Sequence, residues 1–356
     1  MKRKEVIDWE RVVFFSGNGN PILGKKILVK LTEQAGRTCK FSHINFSEFA
    51  DKERDDKIPD CRNLKDKVVV FYQSVTADEF QLEFSELVWA IKHQYQAKYV
   101  IAVMPFMRYR RQDHPEIFEE INRNLMFIDQ MKHDGVDYLI VATPHSDQTE
   151  KNCQAVGLRF RQADPSWIFF RTLWTILPPP AENRTRVYAP DQGSIPRAIK
   201  LAELLKVDVI FSLKKRGLNN LTSIVAADRQ EIKRIKKQYA FFPRLNYATA
   251  DLVKDAAIVM VEDEISSGST ANDTGQLLRS LGADEIHLAA THPVCVLGWK
   301  RKLLSKNPFD KIVITDTIFR DNKQRTGGLM HDVSMSSQLT SELFGALREV
   351  FTEGLV

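Results

Sequence analysis

The stretch Ala257–Thr270, AIVMVEDEISSGST, constrains the fold of this chain more than any other part of it. Its apolar first half ends in the adjacent carboxylates Glu262 and Asp263. A small-residue loop, Ser266–Thr270, follows, and helix-like sequence begins at Asn272. The pattern predicts a strand, an acidic strand end and a hydroxyl-rich turn at the N-terminus of a helix, a connection that is typical of α/β folds.

This turn has the chemistry of a phosphate site. Its unpaired backbone N–H groups, its hydroxyls and the helix dipole attract a phosphate, and the neighbouring carboxylates accept hydrogen bonds from sugar hydroxyls. We therefore interpret Glu262–Thr270 as a ribose-phosphate cradle, called the cradle below. The alternative is an ordinary strand-to-helix turn with N-capping serines. The stretch resembles the phosphoribosyl-diphosphate signature of phosphoribosyltransferases, in which an acidic pair precedes Asp-Thr-Gly-x-Thr.

Length and charge limit the class of protein. A chain of 356 residues is long enough for two domains of ordinary size. Its net charge of +5 is mild for that length, so it fits phosphate-bearing small molecules and does not require nucleic acid as a partner. Four cysteines lie far apart without metal-ligand spacing and are expected to be reduced thiols: Cys39, Cys61, Cys153 and Cys295.

Membrane insertion is not expected. No apolar run reaches transmembrane length, and the N-terminal sequence MKRKEVIDWE becomes acidic where a signal peptide would turn hydrophobic. We expect a cytoplasmic protein without a membrane partner, in a host cell if a virus encodes it.

The first half of the chain alternates apolar strands with helical patterns. A glycine-rich turn, Ser16–Pro21, follows the first strand, but such a turn is weak evidence by itself. The strand Tyr99–Met104 leads into the cationic run Arg108–His114, where we expect a triphosphate or a base, with a solvated charged loop as the alternative. His145 follows the strand Val136–Ala142 and is either a metal or phosphate ligand or a polar loop residue.

The second half repeats the theme after a break at Leu177–Pro180, the best linker candidate. A long polar segment, Gly217–Tyr247, contains the basic amphipathic stretch Arg229–Tyr239. Two successive α/β halves with short connections predict doubly wound, mostly parallel sheets. We expect an N-terminal domain over 1–165, a C-terminal domain over 166–329, and a final helix within 330–356 that packs back on the first.

Six motifs in order resemble the ribose-phosphate pyrophosphokinase family, also called phosphoribosyl-diphosphate synthetases, and the resemblance extends along nearly the whole chain. They are Phe15–Pro21, Arg111–Asp113, Pro190–Gly193, the cradle, Thr291–Val294 and Ile314–Ile318. The segment Phe49–Glu53 also matches the family's Phe-x-Asp-x-Glu loop, which reaches into a neighbouring subunit's ATP site.

The resemblance implies two domains of phosphoribosyltransferase type and a homo-oligomer of dimers within a hexamer. It implies transfer of the β,γ-diphosphate of ATP, with Mg²⁺, to the anomeric hydroxyl of a 5-phosphorylated ribose. Cations are needed because two anions must meet and charge develops on the transferred group. Positioning of the attacking hydroxyl suffices, so no covalent intermediate is expected.

The resemblance also assigns roles to individual residues. Catalysis falls to Lys214 and Arg216, and metal binding to His145 and Asp191. The ATP site comprises Phe49, Asp51, Glu53, Arg111, Gln112, Asp113 and His145. The ribose-phosphate site comprises Asp164, Asp191, Glu262, Asp263, Ser266, Ser267, Gly268, Ser269 and Thr270.

Several positions depart from the family pattern. Ser266 replaces the usual Asp of the cradle and Ser269 a Gly, while Thr143 stands where a metal-site Asp is usual. Thr143 cannot supply a charge, which puts a second magnesium in doubt. The segment Gly217–Tyr247 is also longer than in the family, and it is either an extra grip for ligand or a solvated helix and loop.

These departures leave three alternatives for the activity. The acceptor is ribose 5-phosphate, or it is ADP-ribose, whose 5-phosphate continues into a larger group and whose product would serve in rebuilding NAD. A non-catalytic regulatory homologue would explain lost metal ligands but need not keep Lys214, Arg216 and Asp191 together. A phosphoribosyltransferase would share the cradle but not the run at Arg111, which argues against that class.

Overall fold

The chain forms two compact units, each built around one sheet. The computed structural model describes residues 6–115, 117–177, 184–213, 229–321 and 326–356. Unit one runs to Asp164 and also takes in Thr317–Phe319 and Ser334–Val356. Unit two holds Pro165–Asp316 and Arg320–Val333. The proline run proposed as a linker lies mostly outside the described residues.

Both sheets are parallel throughout their named strands, which confirms the predicted α/β class. The sheet of unit one contains β1 (Val12–Ser16), β2 (Lys40–Phe41), β3 (Val68–Tyr72), β4 (Tyr99–Met104), β5 (Tyr138–Ala142) and β6 (Arg159–Ala163). The sheet of unit two contains β7 (Thr185–Ala189), β8 (Asp208–Phe211), β9 (Leu245–Tyr247), β10 (Ala257–Glu264), β11 (Glu285–His292), β12 (Lys311–Thr315) and β13 (Met330–Val333).

Helices connect successive strands. In chain order they are α1 (Pro21–Ala35), α2 (Asp78–Trp89), α3 (Arg123–Asp134), α4 (Gln148–Ala155), α5 (Ser166–Leu173), α6 (Ile195–Leu205), α7 (Arg229–Gln238), α8 (Ala250–Val253), α9 (Ser269–Ser280), α10 (Trp299–Leu303) and α11 (Ser336–Thr352). A π-helical turn, Ala90–Gln94, extends α2. Within the described ranges, no helix is both long and apolar enough to cross a membrane.

Burial explains why the strands read as continuous apolar runs. Every residue of β3 and of β4 is buried, and the same holds for the first five residues of β10. Helices on both faces of a parallel sheet remove the alternation of apolar and polar residues seen in half-exposed strands. The two faces of the second sheet accordingly pack into separate apolar clusters, one containing Met260 and the other Val261.

Strand order sets where each unit can bind a ligand. Unit one has the order β2-β1-β3-β4-β5-β6, and unit two has β13-β12-β11-β10-β7-β8-β9. The chain therefore turns in opposite directions from β1 and β3 in unit one, and from β7 and β10 in unit two. Ligands of doubly wound sheets bind beyond the carboxyl ends of strands at such switch points. The cradle directly follows β10 and thus lies at the switch point of unit two.

The C-terminal helix α11 belongs to unit one. It packs against α1, where the Thr340 hydroxyl lies 3.5 Å from the carbonyl oxygen of Ile27. The rings of Trp9 and Phe344 add a tilted contact at 5.9 Å between centroids. Arg161 of β6 pairs with two glutamates of the same helix.

Candidate active site

The helix of the cradle begins earlier than the sequence predicts. Gly268 is the N-cap residue of α9, with φ of 78°, so Ser269 and Thr270 form the first turn of the helix and Asn272 lies inside it. The first N–H groups of a helix lack intrahelical partners and carry its positive dipole end. The cradle hydroxyls of Ser269 and Thr270 therefore lie among these donors, which is the arrangement that an oxyanion requires.

The serines of the cradle also bond to each other. The hydroxyl oxygens of Ser267 and Ser269 are 2.9 Å apart, and the backbone N–H of Ser269 donates to the Ser267 hydroxyl over 3.4 Å. Part of the alternative interpretation, a turn closed by its own serines, is thus present in the fold. The hydrogen bond from the backbone N–H of Ser269 to the Ser267 hydroxyl is long and therefore weak. A phosphate oxygen can replace Ser267 as its acceptor.

The loop after β11 supports the cradle through backbone hydrogen bonds. The N–H of Ile265 donates to the carbonyl of His292 over 2.8 Å, and the N–H of Cys295 donates back to Ile265 over 2.8 Å. The N–H of Val296 donates to the carbonyl of Ser266 over 3.2 Å. These bonds give the motif Thr291–Val294 a structural role that the sequence did not reveal.

Gly268 is required by both conformation and space. A Cβ atom at this position would lie 2.5 Å from the Cβ of Leu303 in α10. The side-chain amide of Asn272 ties α9 to the same helix end by donating to the Leu303 carbonyl over 2.6 Å. The small residue thus lets α10 press directly against the loop.

The acidic pair lies within β10 and not in a loop beyond it. Asp263 is 6% exposed, whereas Glu262 is partly buried. Since successive side chains of a strand point to opposite faces of the sheet, the two carboxylates face different sides. The sequence treats them as one patch, and the strand geometry separates them.

Glu262 and Asp191 both influence a buried tyrosine, Tyr188. Burial raises the pKa of Tyr188 to about 12, its hydrogen bond to Ser212 lowers it, and the negative charges of Glu262 and Asp191 add to the rise. The Tyr188 hydroxyl donates to the Ser212 oxygen over 2.8 Å, and Ser212 donates to the carbonyl of Pro190 over 3.0 Å. Glu262 of β10 and Asp191 of the turn after β7 are both predicted site residues. Their charges therefore both contribute to the raised pKa of the Tyr188 hydroxyl at the switch point.

Asp191 has a local structural task as well. Its carboxylate accepts from the N–H of Ser194 over 2.9 Å, and the N–H of Asp191 donates to the Ser194 hydroxyl over 3.2 Å. This reciprocal cap opens the short 3-10 turn that leads into α6. The described chain then reaches Leu213 after β8, so Lys214 and Arg216 lie outside the described residues.

The run after β4 in unit one is anchored and not merely solvated. Arg110 is 4% exposed and donates to the carbonyl of Thr143 over 3.1 Å, while Asp113 is fully buried. The Asp113 carboxylate accepts from the Ser146 hydroxyl over 2.6 Å and contacts the His114 ring nitrogen at 2.7 Å. Asp113 therefore organises this loop and joins it to the loop after β5.

Two other members of that run are exposed. Arg111 and Gln112 both face outward, and Gln112 accepts from Arg123 of α3 over 3.0 Å. His145 is partly buried, next to the Ser146 that bonds to Asp113. The Asp113–Ser146 bond thus brings the strand-end loops that carry Arg111 and His145 to one edge of the sheet.

Thr143 occupies an unusual backbone conformation. It is 1% exposed and has φ of 32°, outside the common regions for a residue with a branched Cβ. Such strain concentrates at functional sites in proteins. The conformation persists because its carbonyl is held by the buried Arg110 and its N–H donates to Ala163 over 3.3 Å.

The remaining predicted residues lie at the surface or at the edge of unit one. Phe49 is 55% exposed, and Asp51 and Glu53 are exposed in the same turn, which the N–H of Phe49 closes on the carbonyl of Glu53 over 2.8 Å. Asp164 is partly buried directly after β6. An exposed Phe is available for a contact outside its own unit.

The glycine-rich turn after β1 is filled by protein groups. The buried carboxylate of Glu83 accepts from the backbone N–H of Asn18 over 2.7 Å and from its side chain over 2.9 Å. The N–H of Gly19 donates to Gln73 over 3.0 Å. This turn is a packing motif, and no sequence signal indicates that Glu83 completes it.

Comparison with known proteins finds similarity to the ribose-phosphate pyrophosphokinases. Residues 12–135 match the model of the N-terminal domain of ribose phosphate pyrophosphokinase. The ribose-phosphate pyrophosphokinase of Ralstonia nicotianae is 24% identical over 322 residues, 89% of this chain and 90% of its own length. That of Haemophilus influenzae is 24% identical over 346 residues, 96% of each chain.

The chain resembles the ribose-phosphate pyrophosphokinases, a family of transferases, over most of its length. The structure of phosphoribosylpyrophosphate synthetase from Mycobacterium smegmatis has the same fold, with a TM-score of 0.74, 20% identity, and coverage of 96% of this chain and 99% of its own. Identities near one quarter make the chain a distant relative of these enzymes.

The family implies magnesium, and the side chains here fit one mode of binding it. Within the described ranges, no three His, Cys, Asp or Glu side chains converge on a point where they could hold a metal ion. Magnesium commonly keeps its waters and binds through substrate phosphates with one or two protein ligands. This donor set therefore fits an ion that enters with a triphosphate and does not fit a cage made of protein groups alone.

Proposed function

We propose that this chain transfers the β,γ-diphosphate of ATP to the anomeric hydroxyl of ribose 5-phosphate. The observation that carries the proposal is the cradle at the switch point of unit two, where a hydroxyl-rich loop opens the N-terminus of α9. Helix N–H groups and hydroxyls suit a sugar phosphate, and the carboxylates suit the sugar hydroxyls.

The proposed roles follow the positions of the residues. Ser266–Thr270 bind the 5-phosphate, and Glu262, Asp263 and Asp164 serve the sugar. Arg111, Gln112 and His145 hold the triphosphate, while the buried Asp113 positions that loop. Lys214 and Arg216 stabilise the transferred diphosphate. The turn with Phe49, Asp51 and Glu53 reaches the ATP site of another copy in a homo-oligomer.

The chemistry needs no covalent intermediate. The anomeric oxygen attacks the β-phosphorus of ATP, the bond between that phosphorus and the oxygen of the α-phosphate breaks, AMP leaves with that oxygen, and the hydroxyl proton passes to solvent. Charge accumulates on oxygens of the β-phosphate, where fixed cations stabilise it most. Magnesium bound through the phosphates would supply further positive charge, and the residues that would hold it are His145 of unit one or Asp191 of unit two.

ADP-ribose is the second candidate acceptor, favoured by the surface beside the cradle. Val296 is 43% exposed and Leu297 fully exposed, on the loop whose backbone bonds to Ser266. The helix that follows this loop, α10, contains three basic residues: Lys300, Arg301 and Lys302. Ribose 5-phosphate ends at its phosphate, whereas ADP-ribose continues into a second phosphate and an adenosine that could cover this surface.

The longer segment lends less support to a larger acceptor. Of its aromatic side chains, Phe242 is 4% exposed, and Tyr239 and Tyr247 are partly buried against the core, so Phe241, 72% exposed, is the one most available to a ligand. The cations of α7 are exposed, and Ile235 anchors the helix to unit two. We assign this helix to the surface of unit two.

AMP formation from ATP and magnesium tests both acceptors side by side. We expect AMP with ribose 5-phosphate and none with Lys214→Ala. AMP with ADP-ribose alone, with a KM that Leu297→Ser raises and Phe241→Ser does not, would replace the first acceptor by the second. A protein that releases no AMP with either sugar would be a regulatory homologue, and the proposal would be wrong.

A further inference from the structure

Unit one contains a concave site that shares no residue with the candidate active site. It has a volume of about 380 Å³. Its walls come from the turn after β1 with the start of α1, from the segment after β3 with the start of α2, and from Ile318–Phe319. Because β1 and β3 are the strands from which the chain turns in opposite directions, this pocket lies at the switch point of its sheet, where doubly wound folds bind ligands.

The pocket disfavours anionic ligands. The turn that would offer its N–H groups to a phosphate donates them to Glu83 and Gln73 instead. The carboxylate of Glu83 is 1% exposed and lies directly behind Asn18. Among the residues that the structure describes, no lysine, arginine or histidine lines the pocket. The N–H groups of the turn are thus already occupied, and a phosphorylated ligand would lose its hydration without gaining a cation from the described lining.

The walls suit a flat apolar body with a few polar edges. Ile22 and Phe319 are 54% and 56% exposed, although both are large apolar side chains, and Phe80 adds a second ring. Thr76, also exposed, contributes a hydroxyl, and the side chain of Asn18 faces the same space. Rings stack on aromatic faces, and single polar groups fix orientation in such sites.

We propose that this pocket binds a neutral aromatic heterocycle of nucleobase to nucleoside size, at a site separate from that for ATP. The size follows from the volume, since pockets for small molecules span about 300–1,000 Å³ and this one is near the lower end. A dinucleotide or a triphosphate exceeds it. The proposal does not depend on the acceptor used in the active site.

Equilibrium dialysis with adenosine, guanosine and uridine tests the proposal, with excess α,β-methylene-ATP present to fill the ATP site. We expect at least one nucleoside to bind once per chain. Ile22→Ala and Phe319→Ala should each weaken its binding at least tenfold, and Thr76→Val should weaken it less. The matched control is Val29→Ala, since Val29 is 49% exposed on the same helix but does not line the pocket.

Each other result would overturn the assignment. Displacement of the nucleosides by α,β-methylene-ATP would mean that they bind at the ATP site, and equal affinity in Ile22→Ala and wild type would exclude the pocket. AMP binding more tightly than adenosine would contradict a neutral ligand. Because the three altered side chains are exposed, the variants should fold, and an unchanged melting temperature verifies this.

Discussion

At the scale of single residues, Gly268 is the position of the cradle that least tolerates a side chain. Its φ of 78° lies in the left-handed region, and a Cβ would clash with Leu303. Gly298 has φ of 84° and nothing within 4 Å of its Cβ position. The pair therefore separates conformational strain from steric conflict.

We predict that Gly298→Ala lowers the free energy of unfolding by about 1–2 kcal/mol, the cost of a left-handed residue with a side chain. Gly268→Ala should lose about 1–3 kcal/mol more because the clash adds to the strain. It should also raise the KM for the sugar acceptor, since α9 must shift. Urea unfolding and initial rates measure both effects, and equal losses in the two variants would show that α10 yields without cost.

A second residue-scale prediction concerns Glu83. It accepts from Asn18, from Gln73 over 3.0 Å and from Arg54 over 3.1 Å while 1% exposed. Glu83→Gln leaves these donors facing a group that cannot accept them all, so we expect a loss of about 2–3 kcal/mol in urea unfolding. The control is Glu86→Gln, because Glu86 also pairs with Arg54 at 3.5 Å but is exposed, and its loss should stay below about 0.5 kcal/mol. Similar losses would contradict the assigned role of the buried carboxylate.

At the scale of elements, the sequence predicts buried strands well and half-buried ones poorly. The range expected for β4, Tyr99–Met104, is confirmed to the residue, because this buried strand is a continuous apolar run. The strand β6, with sequence RFRQA, was missed since it lies at an edge of its sheet and is mostly partly buried. The glutamates that pair with Arg161 lie on α11, far away in the sequence, so the sequence of β6 alone does not show why this strand carries arginines.

The contact between β6 and α11 predicts a pH dependence. Burial tends to raise the pKa of Glu349, but hydrogen bonds from Arg161 and from Tyr138, the latter at 2.8 Å, outweigh it and lower the pKa below its ordinary 4.5. A lowered folded pKa stabilises the fold above pH 4.5, and that contribution disappears as the pH falls through 4.5 and then through the folded pKa.

Glu349→Gln should therefore be less stable than wild type at pH 7, and the difference should shrink between pH 5 and pH 3. Since the side chain is 37% exposed, we expect less than about 1 kcal/mol. Thermal unfolding across this pH range measures it, with the exposed Glu33→Gln on α1 as control. A difference that stays constant with pH would exclude the ion pair as its cause.

At the scale of the whole molecule, the sequence identifies the cradle and the run at Arg111 because each is contiguous. It could not predict what supports them. The loop at His292 that holds Ile265, the bond from Ser146 to Asp113 and the influence of Glu262 on Tyr188 all involve residues distant in the chain. Strand order, which decides where the switch points fall, is likewise a property of the assembled sheets.

The most direct test of the central claim is ³¹P nuclear magnetic resonance of a reaction containing ATP, magnesium and ribose 5-phosphate, with ADP-ribose in a parallel sample. Diphosphate transfer predicts AMP together with two coupled phosphorus signals on the anomeric carbon, and it predicts no ADP. Formation of ADP with a single phosphate on the sugar, or hydrolysis of ATP at a rate independent of either sugar, would contradict it.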